Sequence, residues 1–171
     1  NASGDGFTIS AGSINMSYIL VDNSSGKAII LSDTADATIA NVTLYGNSYG
    51  LYDNSSGSIT MINSIVWDIS VGPQYQFSIY STDSLTGPPI VTYSDVLHWN
   101  TYSGTGNINS DPLFVAAANN NFELDLLSPC IDTGDPSAVY DTDSTVADMG
   151  AFPRLRQFLT GTSDGDITVS A

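Results

Sequence analysis

The chain has 171 residues, 42% of them hydrophobic, and sets three basic residues against eighteen acidic ones for a formal net charge of −15. This much apolar content excludes a disordered polyanion. The missing basic stripe argues against nucleic acid and anionic membrane surfaces, and no run reaches the roughly 20 apolar residues of a bilayer span. The partners left are neutral glycans, cations or other copies of the chain. Scarce Lys with abundant Ser, Thr, Asn and Tyr points to an extracellular or cell-surface protein, with salt adaptation as the other reading. The length suits one domain or one solenoid with a cap.

The chain opens on a polar Asn1-Ala-Ser-Gly with no apolar leader, as expected of a cytosolic chain or of a mature or trimmed one. Phe7-Thr-Ile9 is a short apolar run, and Ile14 to Val21 reads as the first strong strand, with Asn15 matching two later asparagines, Asn41 and Asn63. Asp22-Asn-Ser-Ser-Gly26 forms a corner, and the identical pentapeptide returns at Asp53–Gly57. Strand residues follow both copies, Lys27–Leu31 and Ser58–Ile62, so the pair reads as a repeat of whole layers in which one layer carries extra loop residues.

The strongest periodic signal lies between Ile39 and Trp67. Ala40-Asn-Val-Thr-Leu-Tyr45 aligns on Ile62-Asn-Ser-Ile-Val-Trp67, 22 residues on. That is the period of one rung of a parallel β-helix, in which a rung cannot bury its own apolar face but stacked rungs bury a continuous one. The alternation of strand side chains puts Leu44 and Val66 in one interior column. Asn41 and Asn63 are placed to stack as an amide ladder, and Gly46, Gly50 and Gly57 suit corners of positive φ. Tyr45 and Trp67, with Tyr49 and Tyr52, are expected to form an exposed aromatic stripe. Helical periodicity is absent almost throughout.

Past Ser70 the breakers Gly72-Pro73 and Gly87-Pro-Pro89 flank a strand from Gln74 to Tyr80. Ile90 to Val96 reads as another rung, and His98 to Asn107 as a polar loop carrying Trp99 and Tyr102. A further strand is expected at Phe122–Leu126, and Asp166–Ser170 reads as an unpartnered strand. The expected organisation is rungs over residues 1–100, an Asp/Pro-rich cap over 101–152, and a tail over 153–171 ending in a candidate assembly strand.

The ordered set Val91-Thr-Tyr-Ser-Asp-Val96, Gly104-Thr-Gly-Asn-Ile-Asn-Ser-Asp-Pro-Leu-Phe114, Ser128-Pro-Cys-Ile-Asp-Thr-Gly-Asp-Pro136 and Ala147-Asp-Met-Gly-Ala-Phe152 resembles the C-terminal part of secreted bacterial and archaeal β-helix proteins. These are the pectin-lyase-like repeat proteins of the choice-of-anchor type. The likeness covers roughly residues 14–152 and implies an all-β fold, a right-handed parallel β-helix with a loop-rich C-terminal cap. The tail after Phe152 lies outside the pattern.

Catalytic chemistry finds little support. Lyases on this fold use a basic residue, and Lys27, Arg154 and Arg156 are the candidates; Lys27 reads as a surface lysine beside a corner. A hydrolase pair of carboxylates about 5–9.5 Å apart is available in Asp22 and Asp53, but Asx side chains at corners ordinarily close turns. No catalytic residue is therefore assigned. His98 is the single histidine, and Cys130 the single cysteine, read as a buried filler. Asp141, Asp143, Thr145 and Asp148 supply oxygen at short alternating spacing, an abbreviated calcium loop to which Asp132 and Asp135 are possible additions, so a structural Ca²⁺ is the one cofactor considered. Tyr45, Trp67 and Trp99 are the candidate glycan- or protein-binding residues, and Asn23 and Asn54 the candidate glycosylation acceptors. The leading expectation is a non-catalytic extracellular structural protein that self-associates, head-to-tail or by strand donation, as far as filaments. The alternatives are a carbohydrate-binding or polysaccharide-degrading module and a calcium-stabilised adhesin fragment.

Overall fold

The computed structural model describes residues 4–69, 79–81, 87–97, 104–154, 158–161 and 167–170. Among these the chain is all-β, broken by a three-residue 3-10 turn at Ala117–Asn119. Strands β1 (Phe7–Ser17), β2 (Leu20–Asp22), β3 (Lys27–Ala40), β4 (Thr43–Tyr45), β5 (Tyr49–Ser55), β6 (Ile59–Ile62), β7 (Ile65–Trp67), β8 (Ile79–Ser81), β9 (Ile90–Thr92) and β10 (Asp95–Val96) build two curled parallel sheets. Strands β11 (Phe114–Ala116) and β12 (Asn121–Leu124) form an antiparallel pair, as do β13 (Phe158–Gly161) and β14 (Ile167–Ser170).

Strand pairing follows the 22-residue period. Leu44 lies on Val66 and Tyr45 on Trp67 across β4 and β7, and Ile39 lies on Met61 across β3 and β6. The interior column expected from Leu44 and Val66 is present and longer: Val21, Leu44, Val66 and Val96 are successive partners, all buried in one core cluster. The last layer departs from the period, since Leu51 pairs with Ile79 and Thr60 with Ile90, 28 and 30 positions on. The expected strand from Gln74 to Tyr80 is seen at Ile79–Ser81; residues 74–78 lie outside the described residues.

Buried polar side chains hold the layers in register. Ser64 and Ser94 are both fully buried. Each hydroxyl donates to the carbonyl two residues back, Ile62 or Thr92, and accepts a backbone N–H from the preceding layer, Val42 or Ser64. Asn47 and Asn107 repeat a second device. Asn47 accepts from the Ser24 N–H and donates to the Val21 carbonyl, and Asn107 does the same with Ser94 and Val91. Parallel stacking leaves these corner groups without ladder partners, and a buried polar group left unpaired is costly.

Several expectations are corrected here. The two Asp-Asn-Ser-Ser-Gly copies are not equivalent: Asp22 pairs with Tyr45 in one sheet, while Asp53 pairs with Leu31 and Ser81 in the other. The first copy is a corner at the end of β2, whereas Asp53, Asn54 and Ser55 of the second lie within β5, so Asp22 and Asp53 belong to different sheets. Asn15 pairs with Thr38; the residue in column with Asn41 and Asn63 is Tyr18, and all three adopt positive φ. Asn41 and Asn63 do share a column but do not bond each other. Their amides turn to the C-terminal segment, Asn41 donating to the Asp148 carbonyl and Asn63 accepting from the Asp135 N–H. Of the three corner glycines only Gly46 has positive φ, at 65°. Gly57 is required by space, since a Cβ there would overlap the Ala35 carbonyl of the neighbouring layer. The tail strand is not unpartnered, because Ile167–Ser170 pairs with Phe158–Gly161.

Candidate functional site

Residues 105–108 continue the stack beside Tyr93–Val96, with Ile108 bridging Asp95, and the segment that follows packs against the outer side of the second sheet. The anchor is a small core of Ile65, Leu124, Cys130 and Met149, with Trp67, Ile108, Phe114 and Ile131 against it. Ile65 serves this second core because its neighbour Val66 points the other way, into the main one. Gly150 makes the close approach possible. It sits at φ +96°, donates its N–H to the Asn63 carbonyl, and leaves no room for a Cβ beside Thr43 Oγ1 and Ile65 Cδ1. Thr43 Oγ1 in turn accepts the Ala151 N–H.

Where this segment leaves the sheet, a cleft of about 310 Å³ opens, lined by Tyr45, Trp67, Asp68, Asp111, Leu113, Phe114 and Ala117. Tyr45 is held edge-on by Phe114 and Phe122, at ring-centre distances of 5.7 and 5.1 Å. Its hydroxyl is hydrogen-bonded to Asp68, and burial, reinforced by that carboxylate and by Asp111, raises the pKa of the phenol. Tyr45 and Trp67 are therefore neighbours on adjacent strands, as the repeat predicts, but they are half-buried walls of a cleft. The single exposed stripe is corrected. Tyr49 and Tyr52 belong to the other sheet, where Tyr52 stacks on Tyr80 at 5.1 Å and the Lys27 ammonium sits 4.6 Å from the Tyr52 ring centre. Trp99 and His98 lie outside the described residues.

Asp68, Asp111 and Phe114 were not singled out as site residues in the sequence. Asp68 follows Trp67 at positive φ, the conformation that turns the chain out of β7. Asp111 sits in the Asp-Pro-Leu-Phe run and closes its own turn by accepting the Leu113 N–H. Both are exposed, and both supply acceptors to a cleft walled by rings.

The Asp-rich loop is already tied together by its own backbone. Asp141 accepts the Asp148 N–H, and Asp143 accepts both the N–H and the hydroxyl of Thr145. Asp148, fully buried, accepts the N–H groups of Asp132 and Arg154. Burial pushes Asp148 up to about 6 against the opposing pull of those two donors, and burial likewise raises Asp141. Among the described residues no three His, Cys, Asp or Glu side chains are grouped to hold a metal ion. Asn23 is exposed at a corner; Asn54, expected at a corner, is exposed within β5 and paired with Ser32, whereas Asn41 is buried.

Cys130 is buried, as expected of a filler, but its thiol is not idle. Sγ donates to Asp95 Oδ2 at 3.2 Å, while Asp95 Oδ1 accepts the Ser110 N–H at 3.1 Å. Burial is the largest cause of Asp95 being pushed up to about 7; the Ser110 and Cys130 donors oppose the shift and the Asp111 charge adds to it. Burial and the adjacent carboxylate also raise the Cys130 thiol, so it is held protonated and is a poor nucleophile. Comparison with family models, curated proteins and solved structures finds no match for this chain.

Proposed function

We propose that the stacked layers are rungs of a right-handed parallel β-helix and that the chain is a non-catalytic extracellular module that binds neutral carbohydrate. The observation that carries this reading is the cleft. Tyr45, Trp67 and Phe114 offer ring surface to the C–H faces of a sugar, and Asp68 and Asp111 offer acceptors to its hydroxyls. Support for the fold comes from the 22-residue register repeated across both sheets. Support for an extracellular setting comes from the acidic, lysine-poor composition and the exposed Asn23 and Asn54. A glycan array probed with the wild type and with Asp111→Asn tests the function. Asn keeps the acceptor for the Leu113 N–H, so the turn survives while the charge is lost. Neutral glycans bind the wild type and are weakened in the variant; an array with no neutral hits removes the reading.

A second reading, head-to-tail self-association, is favoured by β1. Among the described residues this eleven-residue strand pairs with β3 alone and leaves its other edge free, and a free edge recruits other chains. The paired tail removes the reason to invoke a donated C-terminal strand. Sedimentation velocity across a concentration series is the test: larger species growing with concentration support stacking, and a monomer throughout rejects it.

A further inference from the structure

Tyr45 belongs to a column of side chains that runs past the cleft. In the second sheet Asp22, Tyr45 and Trp67 are successive Cα partners across β2, β4 and β7, so their side chains form one column along the stacking direction. Adjacent members are one strand spacing apart, about 4.8 Å. A second cleft of about 460 Å³ lies at the Asp22 end, where Phe7, Leu20, Ser24 and Asn120 also line it. One short turn contributes to both clefts: Ala117 lines the first and Asn120 the second, and the Asn120 N–H donates to the Ala117 carbonyl at 3.0 Å.

We infer that the two clefts are successive subsites of one groove, running parallel to the stacking axis between the Asp22–Tyr45–Trp67 column and the 117–120 turn, and that it takes a linear neutral oligosaccharide. This rests on the carbohydrate reading of the first cleft and extends it from a single ring to a chain. Each station carries polar groups suited to hydroxyls: Asp68 and Asp111 at one end, Asp22 and the exposed amide of Asn120 at the other. Asp22 Oδ2 already accepts the Asn23 amide at 3.1 Å, which fixes the carboxylate for a second donor. Tyr45 stands between the stations. Among the described residues no lysine or arginine lines either cleft, so three carboxylates repel uronates and sulfated sugars.

Isothermal titration calorimetry of the full chain with glucose, mannose and xylose and with their β-1,4-linked di- to hexasaccharides tests the groove, with tetragalacturonate as the anionic control. In the series that binds, affinity rises about tenfold for each ring that gains a hydrogen-bonded contact in the second cleft. Asn120→Ala and Asp22→Asn remove that gain with chain length, whereas Asp111→Asn lowers the affinity of every member of the series. Affinity independent of length, with Asn120→Ala and Asp22→Asn silent, overturns the groove and leaves the first cleft standing. Absence of binding by every neutral sugar overturns both, and binding of tetragalacturonate overturns the neutral assignment.

Discussion

Replacing Asp95 by Asn is expected to remove most of one pH dependence of stability. The carboxyl is fully buried between the sheet and the C-terminal segment, held by the Ser110 N–H and the Cys130 thiol. Its pKa rises from 3.8 to about 7, because burial disfavours the charged form more than two donors favour it. Between those values the folded chain holds a proton that the unfolded chain has lost. This contribution to stability is therefore fully present below pH 3.8 and is lost as pH rises through 7. From pH 5 to pH 8 the group crosses about two units of that window, at about 1.4 kcal/mol per unit, so its share is about 3 kcal/mol. Asp148 and Asp141 are shifted in the same direction, so the informative quantity is the difference between wild type and variant. Urea unfolding at pH 5 and pH 8 supplies it. The wild type loses about 3 kcal/mol more than Asp95→Asn over that range; equal losses in the two proteins would refute the argument that Asp95 is protonated in the fold.

Two substitutions test the polar devices that set the register. Ser64→Ala leaves the buried Val42 N–H without its acceptor and is expected to cost about 1–3 kcal/mol by urea unfolding; an unchanged midpoint would show that the serine column is incidental. Asn47→Ala strips partners from both the Ser24 N–H and the Val21 carbonyl, at about 2–3 kcal/mol. Asn47→Asp does not rescue it, because a carboxylate keeps the acceptor but faces the Val21 carbonyl with a lone pair; recovery of wild-type stability in that variant would contradict the clamp.

The stacking was legible because it is local in the sequence. Ala40–Tyr45 and Ile62–Trp67 are written in the same alternation, and their strands pair in that frame. The repeated pentapeptide misleads for a physical reason: its residues suit a corner, as after β2, but in the second copy Asp53–Ser55 are held as strand by pairing with Leu31–Asp33, so shared composition carries no register. The partners of Asn41 and Asn63 were not legible, since they lie 107 and 72 residues away. An asparagine at positive φ looks the same whether its amide meets the next layer or a docked segment.

The cleft was half legible for a related reason. One wall, Tyr45 and Trp67, is a product of the repeat and can be read from it. The other wall, Asp111 to Ala117, comes from a segment that follows no period and reaches its place through contacts of its own. Those contacts explain why the site belongs to this outer side of the sheet. The interior columns are filled alike in every layer, from Val21 to Val96, and present nothing singular to a partner. The outer side becomes singular only where Asn41, Thr43 and Asn63 give up side-chain or backbone groups to bind residues 135–151. Docking that segment turns a uniform surface into a walled cleft, and the same contacts place Asp95 and Cys130 in the dark beneath it. Loosening the segment is therefore expected to open the cleft and to release the proton of Asp95 together, so ligand affinity and the pH dependence of stability should change in the same variants.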